Sequence, residues 1–223
     1  MDIKWKTPEE LEQLALAIIN KHQPKALREP QEIDIYTLVE SECKKYNYSF
    51  EAYRFPVKNG KQILGCVDNK NNKLLLDENM LGQAATSNTW TFVAAHELGH
   101  LILHRQYFED DQTPYDSSEI EDGIPVDKQL EWQANRFASE LLLPRLTVQL
   151  QVFRASKTIG ITHNLGKVIL DEKRHNYSDV QSIIGDISRT FGVSRTVAKI
   201  RLQELNIFID YSDPKTNNDF FIP

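Results

Sequence analysis

The segment His96-Glu97-Leu98-Gly99-His100 constrains the fold and chemistry of this chain more than any other stretch. On a helix, two histidines four residues apart project from one face, with Cβ atoms about 6 Å apart. That separation lets two imidazole nitrogens lie about 2.1 Å from a single zinc ion. Glu97 is turned about 100° around the helix from His96, which places it beside a metal-bound water instead of on the metal. The pattern therefore predicts a helix that binds zinc and activates water.

Length and composition are those of an ordinary globular protein. The chain has 223 residues, of which 40% are hydrophobic and 26% are charged. This is enough for one domain, or for one domain with a small appendage. The formal net charge is -6 and the pI is about 5.6, so the protein has no overall positive field to attract nucleic acid.

The chain start and the cysteines predict a cytoplasmic protein. Residues 1–6 lack the charged-then-apolar pattern of a signal peptide. No apolar run approaches the roughly 18 residues that a membrane-spanning helix needs. Cys43 and Cys66 are the only cysteines and form no C-x-x-C motif, so we expect reduced thiols. We therefore expect a cytoplasmic location and no membrane partner.

The first half of the chain predicts two helices and a small sheet. Thr7-Pro8-Glu9-Glu10 is a capping box that begins the first helix, and the second helix is expected over 34–46. Asn59-Gly60 is a hairpin signal between the first two of three strand-like segments. We expect a three-stranded, mainly antiparallel sheet with strands at 49–55, 62–68 and 73–76.

The motif helix is expected from Ser87 or Asn88 to His104. It is apolar on nearly every side, which predicts a place at the centre of the core. Gly99 costs a helix interior about 1 kcal/mol relative to alanine. The usual reason for such a glycine is close approach by another backbone, for which the sheet edge or a bound peptide is the candidate.

The second half of the chain predicts further helices. An acidic, loop-like stretch occupies 107–127, and a helix follows from 127 to 143 and ends at Pro144. Residues 145–177 are weakly patterned, and 179–208 contains two short helices around Phe191-Gly192-Val193, followed by a tail. The fold class is therefore α+β. We expect a first domain at 1–144 and a helical C-terminal region at 145–223, packed on it.

A catalytic zinc needs a third protein ligand. The metzincin pattern would require a glycine and a histidine at positions that hold Leu103 and Gln106, so it is excluded. Glu131 lies on a later helix and shares a face with Asn135. The carboxylate can bind metal while the amide orients a ligand. Taken alone, Glu131 reads as a helix-surface acid; together with the upstream histidines it is the candidate third ligand.

These motifs resemble the ImmA/IrrE family of metallopeptidases. The resemblance covers about 62–144 and rests on His96–His104, on Glu131–Ala138 and on Leu141–Pro144. A weaker similarity is present at 184–206. It implies a zincin-like core, zinc ligands at His96, His100 and Glu131, and a general base at Glu97. It also implies a site-specific endopeptidase whose protein substrate is a helix-turn-helix repressor. Only a short tail follows position 208, so we expect the ImmA kind, which lacks the sensor domain of the IrrE kind.

The oxyanion stabiliser and the role of the acidic stretch stay open. His104 lies one turn beyond His100 on the zinc face, and we expect it to contact the ligands or pack instead of acting in catalysis. More distant candidates are Tyr107, Tyr115, His163 and His175. The acidic residues at 109–122 either form a solvated surface or line the cleft and attract a basic partner.

The segment 179–208 supports an alternative, a DNA-binding regulator or an interaction protein. It reads like a helix-turn-helix with Arg195, Lys199 and Arg201 on its second helix. Three cationic side chains on an acidic protein provide little electrostatic attraction for nucleic acid. We therefore expect this segment to pack within the protein and expect no direct nucleic-acid partner.

Overall fold

A computed structural model describes residues 5–57, 62–82, 88–107 and 125–212. These residues form an α+β fold, which confirms the predicted class. None of the described helices is both long and apolar enough to cross a membrane.

The chain divides into two compact units. The first contains Met1–His22 and Asp34–Leu142, and the second contains Gln23–Ile33 and Leu143–Pro223. The predicted first domain includes 23–33, which the structure groups with the C-terminal residues. The reason is local packing, because the 3-10 turn Pro24–Leu27 contacts the helix that follows Pro144.

The first unit consists of helices and a three-stranded sheet. Its described helices are α1 (Pro8–His22), α2 (Ile35–Lys45), α3 (Glu78–Gly82), α4 (Thr89–His104) and α5 (Pro125–Leu142), with a 3-10 turn, Arg105–Tyr107, after α4. Its strands are β1 (Ser49–Tyr53), β2 (Gly65–Asp68) and β3 (Lys73–Asp77).

The first two helices begin where their capping residues predict. The Thr7 amide donates to Glu10 Oε2 at 2.8 Å, and the Glu10 amide donates to Thr7 Oγ1 at 3.2 Å. This reciprocal capping box satisfies two backbone donors at the start of α1. At the start of α2, the Thr37 amide donates to Asp34 Oδ1 at 3.1 Å.

The sheet is mixed, with the strand order β1-β3-β2. β1 pairs in parallel with β3, and β2 pairs antiparallel with β3. The predicted hairpin between β1 and β2 is therefore wrong, since these strands are not neighbours, and Asn59-Gly60 lies outside the described residues. Only β2 and β3 follow the local hairpin rule, across the turn at 69–72.

Helix α4 lies at the centre of the first unit, as its apolar sequence predicts. It packs against α2, α5, β2 and β3, and every residue from Ala94 to Leu101 is buried. A helix that is apolar on all sides buries its polar residues together with the apolar ones. The histidines and Glu97 therefore lie inside the core instead of on its surface.

The second unit contains three longer helices and a two-stranded parallel sheet. These are α6 (Arg145–Thr158), β4 (Val168–Leu170), α7 (Tyr177–Phe191), α8 (Arg195–Glu204) and β5 (Phe208–Asp210). The two helices expected within 179–208 are present, and Gly192 ends α7 in the left-handed conformation with φ +64°.

Two features of the second unit differ from the sequence expectation. The weakly patterned stretch 145–177 contains α6 and β4, and the expected tail begins with β5. α6 gives no clear apolar stripe because its buried positions include Thr147 and Ser156. β4 and β5 are three residues each, too short for a periodic signal.

Candidate metal centre

Helices α4 and α5 carry the candidate ligands and approach each other closely. A Cβ added at Gly99 would lie 3.2 Å from Ala134 Cα and 3.2 Å from Phe137 Cδ1. The backbone that Gly99 admits is therefore that of α5, and not the sheet edge or a bound peptide that we expected. Glycine and alanine at this crossing bring Glu131, one turn before Ala134, up to the histidines of α4.

The structure brings together His96, His100 and Glu131. His96 Nε2 lies 3.3 Å from Glu131 Oε2, and His100 Nε2 lies 3.2 Å from Glu131 Oε1. The two Nε2 atoms are 2.9 Å apart. Both histidines are buried, and 18% of the Glu131 side chain is exposed. These are the three residues that the sequence predicted as ligands of one metal ion.

The nitrogen and oxygen atoms of the cluster fit a divalent metal ion. Four ligands at 2.1 Å in a tetrahedron are about 3.4 Å from one another. The two Nε2 atoms are 2.9 Å apart, and each lies 3.2 or 3.3 Å from a different oxygen of Glu131, so all of these distances are close to that value. Two imidazole nitrogens and one carboxylate oxygen are also a donor set that catalytic zinc sites use. His96, His100 and Glu131 would thus hold the ion and leave a fourth position open.

The cluster is electrostatically coupled. Burial alone would raise the pKa of Glu131, but its hydrogen bonds with His100 and His96 hold that pKa well below its ordinary value. Burial also lowers the pKa of His100. At His96 burial is outweighed by the hydrogen bond with Glu131 and by the charge of Glu97, so the pKa is raised. Glu131 is therefore ionised and ready to act as a ligand at neutral pH.

Asn135 holds one of the two histidines. Its Oδ1 lies 3.0 Å from His96 Nδ1, and a carboxamide oxygen only accepts. His96 therefore donates from Nδ1, so its neutral ring would offer the lone pair of Nε2 to a metal ion that replaces the proton shared with Glu131. Asn135 follows Glu131 by four residues on α5, so one helix face supplies both a candidate ligand and the group that orients another.

His104 lies below the cluster and not in the cleft. Its ring is 1% exposed, and its Nδ1 is 3.0 Å from His100 Nδ1. Burial and the nearby His100 lower the pKa of His104 to about 3. A neutral ring covered in this way cannot contact a substrate oxygen, so His104 is not the oxyanion stabiliser.

Glu97 lies against the sheet at the cleft. A Cβ added at Gly65 of β2 would lie 2.6 Å from Glu97 Cγ and 2.9 Å from Glu97 Oε1. The cleft has a volume of about 350 Å³ and is lined on its strand side by 62–65, with Glu97, His96 and Glu131 opposite. Sequence reasoning missed Gly65, although a glycine inside a strand signals close approach by another group.

The remaining oxyanion candidates do not supply an assignment. Tyr107 is half-buried at the end of the turn after α4. His163 and His175 are exposed residues of the second unit. Tyr115 and the acidic stretch at 109–122 lie outside the described residues.

The three cations of the helix-turn-helix-like segment all contact groups within the second unit. Arg201 is fully buried, and its Nε donates to the Leu143 carbonyl at 3.0 Å. Arg195 Nη2 donates to the Gln181 carbonyl at 2.6 Å. Lys199 Nζ lies 5.3 Å from the centre of the Phe208 ring. Each cation therefore has a structural role within its own unit.

Comparison with known proteins agrees with the geometry of the cluster. No curated protein matches this chain. The family model described as the IrrE N-terminal-like domain, a peptidase family, matches residues 80–203, which is more than half of the chain. The match includes both α4 and α5, on which the three candidate ligands lie. The chain therefore belongs to the IrrE N-terminal-like family, the metallopeptidases of the ImmA/IrrE type.

Proposed function

We propose that this protein is a zinc-dependent, site-specific endopeptidase of the cytoplasm that cuts a helix-turn-helix repressor. The observation that carries the proposal is the convergence of His96, His100 and Glu131 within 4.8 Å, beside the carboxylate of Glu97. Family membership supports the peptidase activity. The choice of zinc is supported by the nitrogen-rich donor set.

The chemistry assigns a separate task to each residue. When bound, the metal ion polarises the scissile carbonyl and lowers the pKa of a water molecule. Glu97 takes the proton from the attacking water and passes it to the departing amine nitrogen. Asn135 keeps His96 in the tautomer that offers Nε2. Gly65 leaves room for the Glu97 side chain against the edge of the sheet.

Strand β2 supports an extended peptide as the form of substrate. The Asp77 amide donates to the Leu64 carbonyl, in the same register as the pairing of Gly65 with Leu76. Antiparallel residues alternate between bonded and non-bonded pairs. The amide and carbonyl of Gly65 therefore point away from β3, at an edge of the described sheet that borders the cleft. A peptide paired with this edge would lie beside Glu97.

The repressor substrate is supported by the resemblance to ImmA-type proteases alone. A cytoplasmic location is supported by Cys43 and Cys66, which are both buried and form no disulfide bond. DNA binding through α7 and α8 has less support, because Arg195, Lys199 and Arg201 all contact groups within their own unit. Such cations contribute little to a phosphate-binding surface.

A cleavage assay tests the proposal. The zinc-loaded protein is incubated with the helix-turn-helix repressor encoded nearest to its gene and, separately, with a quenched fluorescent peptide library. The decisive variant is Glu97→Gln, which keeps the size of the side chain but cannot take a proton. The matched control is Glu40→Gln, the same change at a partly exposed residue of α2.

We expect one cut in the repressor and a loss of at least about a hundredfold in rate for E97Q, with zinc content unchanged. E40Q should cut at the wild-type rate. Full activity of E97Q would contradict the assignment of the base. Cleavage of library peptides without cleavage of the repressor would reject the repressor but retain the peptidase.

A further inference from the structure

Three histidines of α4 form a continuous row along one side of the helix. His96, His100 and His104 are spaced four residues apart, and their rings are in contact, with centroid distances of 4.6 and 5.0 Å. The first contact joins the two Nε2 atoms, and the second joins the two Nδ1 atoms of His100 and His104. The proposed metal site uses His96 and His100 as ligands and assigns no role to His104.

The hydrogen bonds of the row determine where its protons lie. The proposed metal site needs the lone pair of His100 Nε2, so the proton of that neutral ring is on Nδ1. His100 Nδ1 lies 3.0 Å from His104 Nδ1, and one proton lies between two nitrogens at this distance. His100 is then the donor and His104 Nδ1 the acceptor, which puts the proton of His104 on Nε2.

This arrangement has a cost for the fold. His104 Nε2 is buried and has no hydrogen-bond partner among the residues that the structure describes. A buried polar group without a partner costs about 1–3 kcal/mol, and a leucine at this position would avoid the cost. The benefit of the histidine must therefore come from its other nitrogen, Nδ1, which contacts His100.

We propose that His104 is a positioning residue that accepts a hydrogen bond from His100 Nδ1 and so directs His100 Nε2 to the metal. Asn135 does the same for His96 through a carboxamide oxygen. The two histidine ligands are thus oriented by two neutral acceptors, one from α5 and one from α4 itself. The inference rests on the proposed metal site, and its test does not depend on peptidase activity.

Zinc affinity of two variants tests the proposal. His104→Leu replaces the ring by an apolar side chain of moderate size and removes the acceptor. His104→Asn is smaller, but its Oδ1 can take the place of Nδ1 as acceptor. The dissociation constant for Zn²⁺ is measured by competition with a chromophoric chelator, and the absorption spectrum of the Co²⁺ form reports the ligand geometry. Thermal unfolding of each metal-free variant shows that it is folded.

We expect H104L to bind Zn²⁺ about 10- to 100-fold more weakly than the wild type, with a changed Co²⁺ spectrum. H104N should bind within about threefold of the wild type, since it restores the acceptor. Wild-type affinity of H104L would overturn the proposal, and so would equal weakening in both variants, which indicates packing alone. A wild-type protein that binds no Zn²⁺ would reject the proposed function as well.

The tautomers of the wild-type protein provide a second test that needs no variant. In long-range ¹H–¹⁵N spectra of the Zn²⁺-loaded protein, His104 should carry its proton on Nε2, with Nδ1 shifted as an acceptor. His100 should carry its proton on Nδ1. A His104 protonated on Nδ1 would overturn the proposal even if H104L failed to fold.

Discussion

Two carboxylates of the first unit, Glu42 and Glu131, both contact nitrogen atoms, but lysine ammonium groups supply two of the three at Glu42, whereas both at Glu131 are imidazole nitrogens. Glu42 is 1% exposed and contacts Lys21 Nζ at 2.8 Å, His22 Nε2 at 2.7 Å and Lys45 Nζ at 3.3 Å. Glu131 contacts the Nε2 atoms of two histidines at 3.3 and 3.2 Å. Both carboxyl groups have a pKa below the ordinary value.

The difference lies in the lone pairs that the partners offer. A lysine ammonium donates three protons and has no lone pair, and Lys21 and Lys45 leave His22 as the one imidazole among the three partners given above. Glu42 therefore belongs to a charge network that ties α1 to α2 and has too few lone pairs for a metal ion. A neutral imidazole keeps one lone pair, so the cluster of Glu131 can exchange its protons for a metal ion. Burial and a low pKa therefore do not by themselves distinguish a metal site from a structural ion pair.

The largest effect that would sharpen this comparison is the loss of stability in Glu42→Gln. Burial raises the pKa of Glu42, but its hydrogen bonds with Lys21 and His22 lower it from 4.5 to about 2. Because the folded pKa is lowered, the stabilisation is full above pH 4.5 and is lost as the pH falls towards 2. The shift corresponds to up to about 3 kcal/mol.

Urea unfolding at several pH values measures this effect. We expect E42Q to lose up to about 3 kcal/mol at pH 7 and to lose much of the acid dependence between pH 4.5 and 2. The control is Glu40→Gln, which removes an exposed pair with Lys44 and should cost less than about 1 kcal/mol. An E42Q protein with wild-type acid dependence would contradict the charge-network account.

A smaller effect, on the cleavage rate, is expected from Gly65→Ala. This substitution changes the cleft beside Glu97 and leaves the contacts of Glu42 and Glu131 in place. The new Cβ would lie 2.6 Å from Glu97 Cγ, so the base must move. We expect the cleavage rate to fall at least about tenfold, because a misplaced base loses its approach to the water. Zinc affinity and urea stability should remain near wild type. Weaker zinc binding in G65A would show that this glycine positions the ligands instead of the base.

Local signals in the sequence predicted the parts of the site that lie within single helices. The spacing of His96, Glu97 and His100 and the capping box at Thr7 depend on residues within one or two turns. The third ligand required only that a carboxylate stand on a later helix, and Glu131 met this condition with Asn135 on the same helix face. The structure brings His96, His100 and Glu131 within 4.8 Å of one another, and their role as metal ligands stays a prediction.

Features that depend on distant pairing could not be read in this way. β1 pairs in parallel with β3, although β2 lies between them in the sequence. No turn motif specifies such a pair. β4 and β5 also pair with each other, although α7 and α8 separate them in the sequence. The contact of Gly65 with Glu97 arises only after the sheet packs on α4. Each of these depends on the assembled fold and leaves no periodic pattern.

The most direct test of the central claim is a zinc titration of the wild-type protein beside Glu131→Gln and Glu42→Gln. Isothermal titration of the metal-free proteins near pH 7.5 gives both stoichiometry and affinity. We predict one zinc ion per chain for the wild type and for E42Q, with equal affinity, and binding weakened by more than about a hundredfold for E131Q. Wild-type affinity in E131Q, or no zinc binding by the wild type, would contradict the assignment of His96, His100 and Glu131 as a metal centre.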